Sequence, residues 1–476
     1  MLISFVAIYL AFSILLGVYA GTKVHNVKDY VNANRSLPMW VIFMMMFATW
    51  FGAETILGVP GTFVEENLGA LISDPIGAGV CLMLFGLVFA RRLYRKNLLT
   101  LGDFYRDTYS KPVEITVSVA IALSYLGWVA AQITALGLVF NVLTQGQISM
   151  EWGIVIGALV VMLYTLAGGM WSVAVTTVVQ MTIIVLGLIW VAFLISGQTN
   201  GFMPVIEHAH AAGKFEFWPE LEWIAVITFV AGFLTMAFGS IPQQDVFQRA
   251  NSAKSESAAV WGSVFGGILY LAFAVVPLYL AYSAFILAPE LAEQAKAQDP
   301  QLVLPLFMMS HLPMYAQIIF FGALLSVIMS TASGTLLAPS VTISENIIRE
   351  FLPNGKSLTD RQFLMLMRVT VVSFAFLVTL YALWSLQHST SIHSMVENAY
   401  KVTLVIALVP LFAGLYWKKA SNFGAVTSIV VGVLVWLPLE FMLPEFAIPP
   451  HFLGFVAAAL AMIVATLIKP RQRLAS

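Results

Sequence analysis

Residues 48–61 read Ala48-Thr49-Trp50-Phe51-Gly52-Ala53-Glu54-Thr55-Ile56-Leu57-Gly58-Val59-Pro60-Gly61. This stretch lies within an apolar run that begins near Trp40, and a helix is predicted from about Pro38 to Leu57. Pro60 lacks a backbone N–H and disfavours the helical conformation of the residue before it, so the helix is expected to break at 58–61. A break inside a bilayer is tolerated only where protein or a water-filled cavity satisfies the freed backbone groups. Discontinuous membrane helices of this kind are typical of secondary transporters, which use them to bind ions near the midplane.

Two side chains in the stretch are unusual at membrane depth. Trp50 lies far from the membrane–water interfaces that tryptophan favours. Glu54 places an acid within a hydrophobic span, and such an acid is a functional-site hypothesis by default. The stretch therefore combines a backbone break with a ring and a carboxyl group that could bind a ligand.

The composition indicates an integral membrane protein. Of the 476 residues, 60% are hydrophobic and 10% are charged, and the mean hydropathy is +0.90; a soluble protein has about 25% charged residues. The single cysteine, Cys81, excludes a disulfide framework, and the seven scattered histidines do not form a zinc motif. Since the spans contain no Ser/His/Asp arrangement or metal cluster, neither an enzyme nor a nucleic-acid partner is predicted.

Thirteen apolar runs of roughly 20 residues are predicted to span the membrane. The first run lacks a basic n-region and is longer than a signal peptide's apolar core, so it is expected to be retained. Most of the 23 Lys and Arg residues fall in alternate loops, which places the N-terminus outside and the C-terminus inside. A single domain, 1–476, in the cell membrane (the inner membrane if bacterial) is predicted, with spans near 2–22, 39–58, 70–90, 113–143, 151–168, 172–197, 222–247, 257–285, 313–347, 364–387, 394–417, 420–442 and 451–468.

A second interrupted helix divides the domain into two proposed halves. The segment 231–242 again contains glycine and proline inside an apolar span. Paired interrupted helices in corresponding positions are a pointer to an inverted repeat with a central site. Since each half holds five spans, the second must be inverted. The predicted repeats are about 39–197 and 222–417, with peripheral helices at 1–22, 420–442 and 451–468.

The ninth span carries hydroxyl groups that could bind a cation. Ser330 and Thr331 offer hard, uncharged oxygen ligands, which suit a small alkali ion when unwound carbonyls complete the shell. The alternative is that these small residues only allow close helix packing.

The chain resembles the sodium:solute symporter family, and more closely its high-affinity choline transporter branch. The resemblance implies an all-α, polytopic LeuT-type fold, with a five-plus-five inverted repeat preceded by an extra helix. It is carried by several short stretches in characteristic order, namely Ala48-Thr49-Trp50 with Gly58 and Pro60-Gly61, Leu101-Gly102-Asp103-Phe104, Tyr164 to Val173, Ile241 to Arg249 and Met329-Ser330-Thr331.

The resemblance also implies a sodium site between the broken helix and the ninth span. A second sodium site of some members uses an aspartate where this chain has Thr177, and Ser333 is followed by Gly334 rather than by another hydroxyl residue. The second site is therefore expected to be absent or weak, with one sodium ion per solute. The implied ligands of the first site are the carbonyls of Ala48, Phe51 and Val327 and the hydroxyls of Ser330 and Thr331.

For the substrate, the resemblance points to a partial aromatic cage. Trp50 and Trp128 coincide with two cage tryptophans of the choline branch, and aromatic faces attract a quaternary ammonium. The alternatives are helix packing for Trp50 and lipid-facing packing for Trp128. Gln243 and Ala78 replace a third Trp and a Tyr, so the pocket is expected to be more polar than a choline cage. Its polar candidates are Gln132, Gln243, Gln244, Glu54 and Asp74.

The two acids have competing interpretations. Either Glu54 or Asp74 could hold an amine. Asp74 could instead cap a helix that begins at Pro75. Glu54 could be a protonated carboxyl group or a structural partner of Lys401.

Two further charged pairs are spaced by one helical turn. Glu397 and Lys401 are predicted to form an internal salt bridge, the alternative being that Lys401 reaches the carboxylate of a zwitterionic substrate. Asp245 and Arg249 lie at the cytoplasmic end of the seventh span and are predicted to clamp an inner gate.

Together these features predict a sodium-coupled symporter that imports a small organic solute, a cationic or zwitterionic amine, by alternating access. The first alternative is a sodium- or proton-coupled transporter of a neutral or anionic polar metabolite held by Gln243 and Gln132. The second is a membrane solute sensor. The expected partners are the solute, sodium and membrane lipid. The oligomeric state is not predicted, and a monomer is one of the options.

Overall fold

A computed structural model describes residues 2–353, 355–388, 391–443 and 446–471. Met1 of the predicted peripheral helix 1–22 and residues 354, 389–390, 444–445 and 472–476 of the predicted domain lie outside these ranges. Within them the chain is helical, with no β-strand beyond an isolated bridge between Leu37 and Ala253. Apolar helices satisfy their backbone groups internally, which a membrane span requires.

The helices are numbered in chain order. The first ten are α1 Leu2–Gly21, α2 Val27–Asn32, α3 Met39–Trp50, α4 Val59–Glu65, α5 Ala78–Leu84, α6 Arg91–Arg95, α7 Leu101–Thr108, α8 Lys111–Leu143, α9 Met150–Gln198 and α10 Met203–Ala211. The others are α11 Trp223–Ala237, α12 Gln244–Asn251, α13 Glu256–Phe273, α14 Val275–Leu287, α15 Pro289–Gln298, α16 Val303–His311, α17 Met314–Thr342, α18 Arg349–Phe351, α19 Asp360–Leu386, α20 Ile392–Thr403, α21 Val409–Tyr416, α22 Asn422–Met442 and α23 Pro450–Ile468.

Short 3-10 and π-helical segments join several of these helices. The 3-10 turns are Ala33–Arg35, Leu68–Leu71, Pro300–Leu302 and Gly355–Ser357, and the π turns are Glu54–Gly58, Ile72–Gly77, Phe85–Ala90, Ile343–Ile348 and Leu404–Leu408.

Ten helical segments of the described residues are long and apolar enough to cross a membrane, or eleven if one bent pair is counted as a span. The sequence predicted thirteen, and helices lie at every predicted interval. The difference arises because α9 runs through two predicted spans with a bend at Gly169, and because the predicted span 222–247 is divided between α11 and α12. The topology and the repeat boundaries stay predictions.

The most buried helices are α8 and α17. In their most apolar windows, 83% and 89% of residues are buried, against 28% for both α1 and α22. Helix α8 contacts α9, α17 and α20, and α3 packs on α13 and α9, whereas α22 and α23 pack mainly on each other. The two long central helices thus form the walls against which the interrupted helices lie.

The first interrupted helix breaks earlier than predicted. Helix α3 ends at Trp50, and the chain bends by 55° before it resumes at Glu54. The prediction of a break at 58–61 is wrong because Pro60 lies in the first turn of α4, where the helix does not need its N–H. The break is at Phe51–Ala53, where Phe51 has a non-helical ψ of 79°.

The second interruption lies where the sequence predicted it. Helix α11 ends at Ala237, and α12 begins at Gln244, after a non-helical segment that contains Gly239 and Pro242. The hydroxyl of Thr403 on α20 donates a hydrogen bond of 2.6 Å to the Gly239 carbonyl. A side chain thereby satisfies a backbone group that the break exposes.

Candidate functional site

Side chains of the two central helices satisfy the backbone of the first break. On α17, the Thr331 hydroxyl lies 3.1 Å from the Ala48 carbonyl oxygen and 3.2 Å from that of Phe51. On α8, the Gln132 side-chain oxygen accepts a 2.9 Å hydrogen bond from the Ala53 N–H. The break is therefore held on one side by a hydroxyl group and on the other by an amide.

The structure brings three of the five predicted sodium ligands together. The oxygens of Ala48, Phe51 and Thr331 converge at the break. The Ser330 hydroxyl lies 3.1 Å from that of Thr177 on α9. Val327, the fifth predicted ligand, is buried on α17 one turn before Thr331. The converging atoms are all neutral oxygens, the ligand type that suits an alkali cation.

Glu54 follows the break immediately. One carboxylate oxygen accepts a 2.7 Å hydrogen bond from the Gln132 amide, and the other is buried with no hydrogen-bond partner. A Cβ atom on Gly52 would lie 2.8 Å from the carboxylate and 2.9 Å from the Thr331 hydroxyl. Glycine at position 52 therefore allows the candidate cation ligands and the carboxyl group to lie close together.

Three fully buried aromatic rings pack beside Glu54. Trp50 and Trp128 stack with ring centroids 4.9 Å apart, and Tyr400 meets each of them edge-on at 5.5 Å. The two indole N–H groups and the Tyr400 hydroxyl are buried without hydrogen-bond partners, but the Trp128 indole N–H faces the Glu54 carboxylate. Trp128 is completely buried, so the alternative of lipid-facing packing is wrong for this residue.

Sequence reasoning missed Tyr400. Tyr400 directly precedes Lys401 on α20, the residue whose charge made this helix a candidate. Because neighbouring residues on a helix point in different directions, Tyr400 faces the tryptophans and Lys401 does not. The available signal was a tyrosine on an amphipathic helix of the second half, but a single aromatic in a chain with 15 Tyr and 34 Phe is weak evidence.

Asp74 is linked to the first break by a chain of hydroxyl groups. The Tyr270 hydroxyl donates to Asp74. The Thr55 hydroxyl lies 2.9 Å from that of Tyr270 and donates to the Trp50 carbonyl at 2.8 Å. The other Asp74 oxygen is buried without a partner. Asp74 thus binds a side chain of α13 instead of capping a helix at Pro75, and Tyr270 was not predicted.

The two adjacent glutamines have different surroundings. The Gln243 amide donates to Ser124 at 3.1 Å and to Thr403 at 3.3 Å. Gln244 accepts a 2.8 Å hydrogen bond from the Leu101 N–H, at the start of α7. Gln243 therefore connects the second break with α8 and α20, and Gln244 binds the first residue of α7.

The predicted salt bridge between Glu397 and Lys401 is wrong. Lys401 lies 3.7 Å from Glu440 on α22, and the Trp436 indole donates to the same carboxylate. The neighbouring helix brings this acid within reach, which helical spacing within α20 could not reveal. Lys401 is therefore neither the partner of Glu54 nor placed among the aromatic rings.

Asp245 and Arg249 bind different helices rather than forming an ion pair with each other. One guanidinium nitrogen of Arg249 donates to the Met45 carbonyl and the Thr49 hydroxyl, each at 2.6 Å. Asp245 accepts a 2.6 Å hydrogen bond from Tyr125 on α8. A Cβ at Gly334 would lie 2.1 Å from Arg249, so glycine here makes room for the guanidinium. The role of the two residues as an inner gate stays a prediction.

The comparisons with known proteins agree with the sequence resemblance. The model of the sodium:solute symporter family matches residues 30–432. The human high affinity choline transporter 1 is 27% identical over 451 residues, which cover 91% of this chain and 76% of that protein. The sodium/proline symporter of Haemophilus influenzae is 28% identical over 494 residues, with 98% and 94% covered.

Solved structures show the same fold. A Na+-coupled sialic acid symporter in a substrate-bound, outward-open state has a TM-score of 0.84 at 18% identity, with 99% of each chain covered. Mhp1, a nucleobase-cation-symport-1 family transporter in a closed conformation, has a TM-score of 0.62 at 14% identity, with 93% of this chain and 95% of that chain covered. The predicted all-α, LeuT-type fold is confirmed.

Proposed function

The chain belongs to the sodium:solute symporter family, and we propose that the solute it moves with sodium carries a protonated amine. The family, the transporter relatives and the fold make it a multi-pass protein of the cell membrane and a sodium-coupled symporter of small solutes rather than an enzyme. The substrate, the site residues and the number of sodium ions are inferred from the geometry around the first break.

One observation carries the proposal, namely the unpartnered oxygen of buried Glu54 beside the three aromatic rings. Burying a carboxylate is costly unless a positive charge or hydrogen-bond donors compensate it. A protonated amine supplies both, whereas cation–π attraction by Trp128 would require Trp50 or Tyr125, which stack on its two faces, to move away. A quaternary ammonium supplies the charge but has no N–H to donate.

The other unpartnered atoms favour a zwitterion over a simple amine. The indole N–H of Trp50 and the hydroxyl of Tyr400 can donate hydrogen bonds to an anionic group of the solute. The names of two kinds of relative contain an amine substrate, proline or choline, whereas that of a third, the sodium/glucose cotransporter of Vibrio parahaemolyticus, contains a neutral sugar. Gln243 and Ala78 replace two cage aromatics of the choline branch, which argues against choline itself.

We propose a single sodium ion bound by the carbonyls of Ala48, Phe51 and Val327 and the hydroxyls of Ser330 and Thr331. The close approach of Thr331 to two break carbonyls supports this ligand set. At the position of a second site, Thr177 and Ser330 form a neutral pair without a carboxylate. Each sodium charge that crosses gains about 2.3 kcal/mol per 100 mV of membrane potential.

Sodium and solute are coupled through a short stretch of chain. Sodium at the Phe51 carbonyl fixes the break, and two residues later the Ala53 N–H binds Gln132, which also holds Glu54. Ordering the break therefore positions the carboxylate for the amine, and alternating access follows from movement around this point. Because such coupling is reciprocal, the solute also tightens sodium.

The alternative of a neutral or anionic solute held by amides has less support. The Gln132 amide is occupied by Glu54 and Ala53, and that of Gln243 by Ser124 and Thr403. Proton coupling through Glu54 or Asp74 would produce uptake driven by a pH gradient in sodium-free buffer. We expect no such uptake.

A matched series of solutes tests the substrate class. Sarcosine, N,N-dimethylglycine and glycine betaine share a carboxylate but lose N–H groups step by step, and choline lacks the carboxylate. Calorimetric binding to the purified protein in sodium is expected to weaken along this series and to be lost when potassium replaces sodium. Equal binding of betaine would contradict the role of Glu54 as an N–H acceptor, and binding of neutral sugars alone would refute the amine.

A further inference from the structure

An apolar cleft opens between the outer helices on the side of the molecule that the basic loops place in the cytoplasm. Its volume is about 540 Å³, and it lies between α21, α23 and the helix that ends at the π turn Phe85–Ala90. Apolar side chains line it, among them Leu84, Phe89, Phe238, Phe412, Trp417 and Met462. Phe412 is 51% exposed, so the cleft is accessible from the hydrocarbon of the bilayer.

Arginines line a second cavity at the cytoplasmic end of this cleft. It has a volume of about 390 Å³, shares Val88 with the cleft and is lined by Arg91, Arg92, Trp261 and Tyr416. The Arg92 guanidinium lies 3.9 Å from the centroid of the Tyr416 ring and donates to the Leu415 carbonyl at 2.8 Å. The two cavities therefore lie side by side, with Val88 in the wall between them, one apolar within the membrane and the other basic at its surface.

Positive charge exceeds negative charge at this rim. Arg91 and Arg95 share the single carboxylate of Glu256, at 2.9 Å and 2.7 Å. Among the described residues Arg92 makes no ion pair, and its guanidinium contacts the Leu415 carbonyl and the Tyr416 ring. Lys418 and Lys419, both exposed, directly follow Trp417 of the cleft.

We propose that this composite site binds an anionic phospholipid, with an acyl chain in the cleft and the headgroup phosphate at Arg91 and Arg92. A guanidinium group matches phosphate oxygens with two parallel hydrogen bonds. Basic pockets between membrane helices on the cytoplasmic side are suited to anionic headgroups. A zwitterionic lipid can fill the same cleft but is expected to bind more weakly, because the cation of its headgroup is repelled by the arginines at the rim.

The bound lipid contacts a part of the transport machinery. Phe238 and Ile241 on the cleft wall belong to the segment that interrupts the second helix, just before Gln243. An acyl chain packed on this segment restrains it at the cytoplasmic side. The lipid is therefore expected to stabilise the folded protein whether or not sodium and solute are bound.

Native mass spectrometry of the purified full chain tests the site with phosphatidylglycerol and phosphatidylcholine of identical acyl chains. Each arginine contributes about fivefold to the binding of a lipid with net negative charge, so two give phosphatidylglycerol an advantage of roughly 25-fold over phosphatidylcholine. The variant Arg91→Gln/Arg92→Gln is expected to lose this advantage. The variant Lys28→Gln/Arg361→Gln, which removes the same charge elsewhere on the cytoplasmic side, is expected to keep it.

A second pair of variants tests the cleft independently of the arginines. Ala459→Trp fills the cleft and is expected to weaken binding of both lipids, whereas Leu460→Trp, on the 58% exposed neighbour of the same helix, leaves binding unchanged. Equal binding of the two lipids to the unmodified protein overturns the proposal. So does an equal loss in Lys28→Gln/Arg361→Gln, or unchanged binding in Ala459→Trp. None of these outcomes decides whether solute binding depends on sodium, which is measured separately.

Discussion

The first interrupted helix, broken at residues 51–53, and the second, broken at residues 238–243, both present freed carbonyls to a threonine. Thr331 lies against the Ala48 and Phe51 carbonyls, and Thr403 binds the Gly239 carbonyl. Each break is also connected to α8, the first through Gln132 and the second through the Gln243 contact with Ser124.

The two breaks differ in what remains unpartnered. Beside the first lie a carboxylate oxygen of Glu54, the Trp50 indole and the Tyr400 hydroxyl, all buried and without hydrogen-bond partners. At the second, Ser240 and Gln243 are neutral and hydrogen-bonded, and the unpartnered atoms, on Gln244 and Asp245, lie in the helix that follows the break. Since buried polar groups are normally satisfied, we expect the ligands to bind at the first break and the segment 238–243 to act as a hinge.

The largest effect is expected from Glu54→Gln. This substitution keeps an acceptor for Gln132 but removes the charge, and truncating one partner of a buried charge pair costs about 2–5 kcal/mol, or at least roughly 30-fold in affinity. Calorimetry in sodium is expected to show this loss for a protonated amine. Gln243→Asn at the second break is the control and is expected to change affinity little. If Glu54→Gln binds the amine normally while sodium still raises its melting temperature, Glu54 is structural.

Matched threonine variants test which of the two breaks contributes to sodium affinity. Thr331→Val removes one of the proposed sodium ligands, and a bond to a charged group is worth about 1.5–3 kcal/mol, or roughly 10- to 150-fold in sodium affinity. Thr403→Val removes the corresponding hydroxyl at the second break and is expected to lower stability by about 1 kcal/mol without changing sodium affinity. Sodium titrations of the melting temperature measure both. Equal losses of sodium affinity in the two variants would remove the distinction between the breaks.

The stoichiometry at the first break can be changed by Thr177→Asp. The new carboxylate would lie beside Ser330 and supply the anionic ligand that the chain lacks. Sodium dependence of solute binding is expected to be non-cooperative in the unmodified protein and cooperative in this variant. Thr176→Asp is the control, because its hydroxyl binds the backbone of its own helix. Cooperative sodium dependence in the unmodified protein would show that a second site already exists.

The smallest effect is expected from Lys401→Met. The ion pair of Lys401 with Glu440 is partly exposed, with 18% and 29% of the two side chains accessible, and such pairs contribute about 0–1 kcal/mol. The free energy of unfolding is therefore expected to change by less than about 1 kcal/mol, and amine affinity is expected to stay the same. A large loss of affinity for zwitterions but not for simple amines would place Lys401 at the substrate carboxylate.

The sequence was sufficient to predict the helices and the two interruptions, because apolar runs and Gly-Pro pairs act locally. It misplaced the first break, since Pro60 is tolerated at the start of α4. The break at Gly52 depends instead on contacts between helices, because Gly52 lies between Glu54 and Thr331, and Thr331 is remote from it in sequence.

The site was predicted in part. The resemblance identified Trp50 and Trp128, and the charge in an apolar span identified Glu54; the structure places all three together. Tyr400 and Tyr270 were missed because aromatic residues are frequent in this chain and their orientation is set by other helices. The predicted partner of Lys401, Glu397, was wrong for the same reason, since the actual partner, Glu440, approaches Lys401 from α22.

The most direct test of the central claim is the affinity for a protonated amine measured at increasing sodium concentration, in the unmodified protein and in Thr331→Val. If the first break joins the two ligands, sodium raises amine affinity, the amine raises sodium affinity by the same factor, and Thr331→Val moves both effects to sodium concentrations roughly 10- to 150-fold higher. The same amine affinity in potassium as in sodium, or an unchanged sodium dependence in Thr331→Val, would contradict the account.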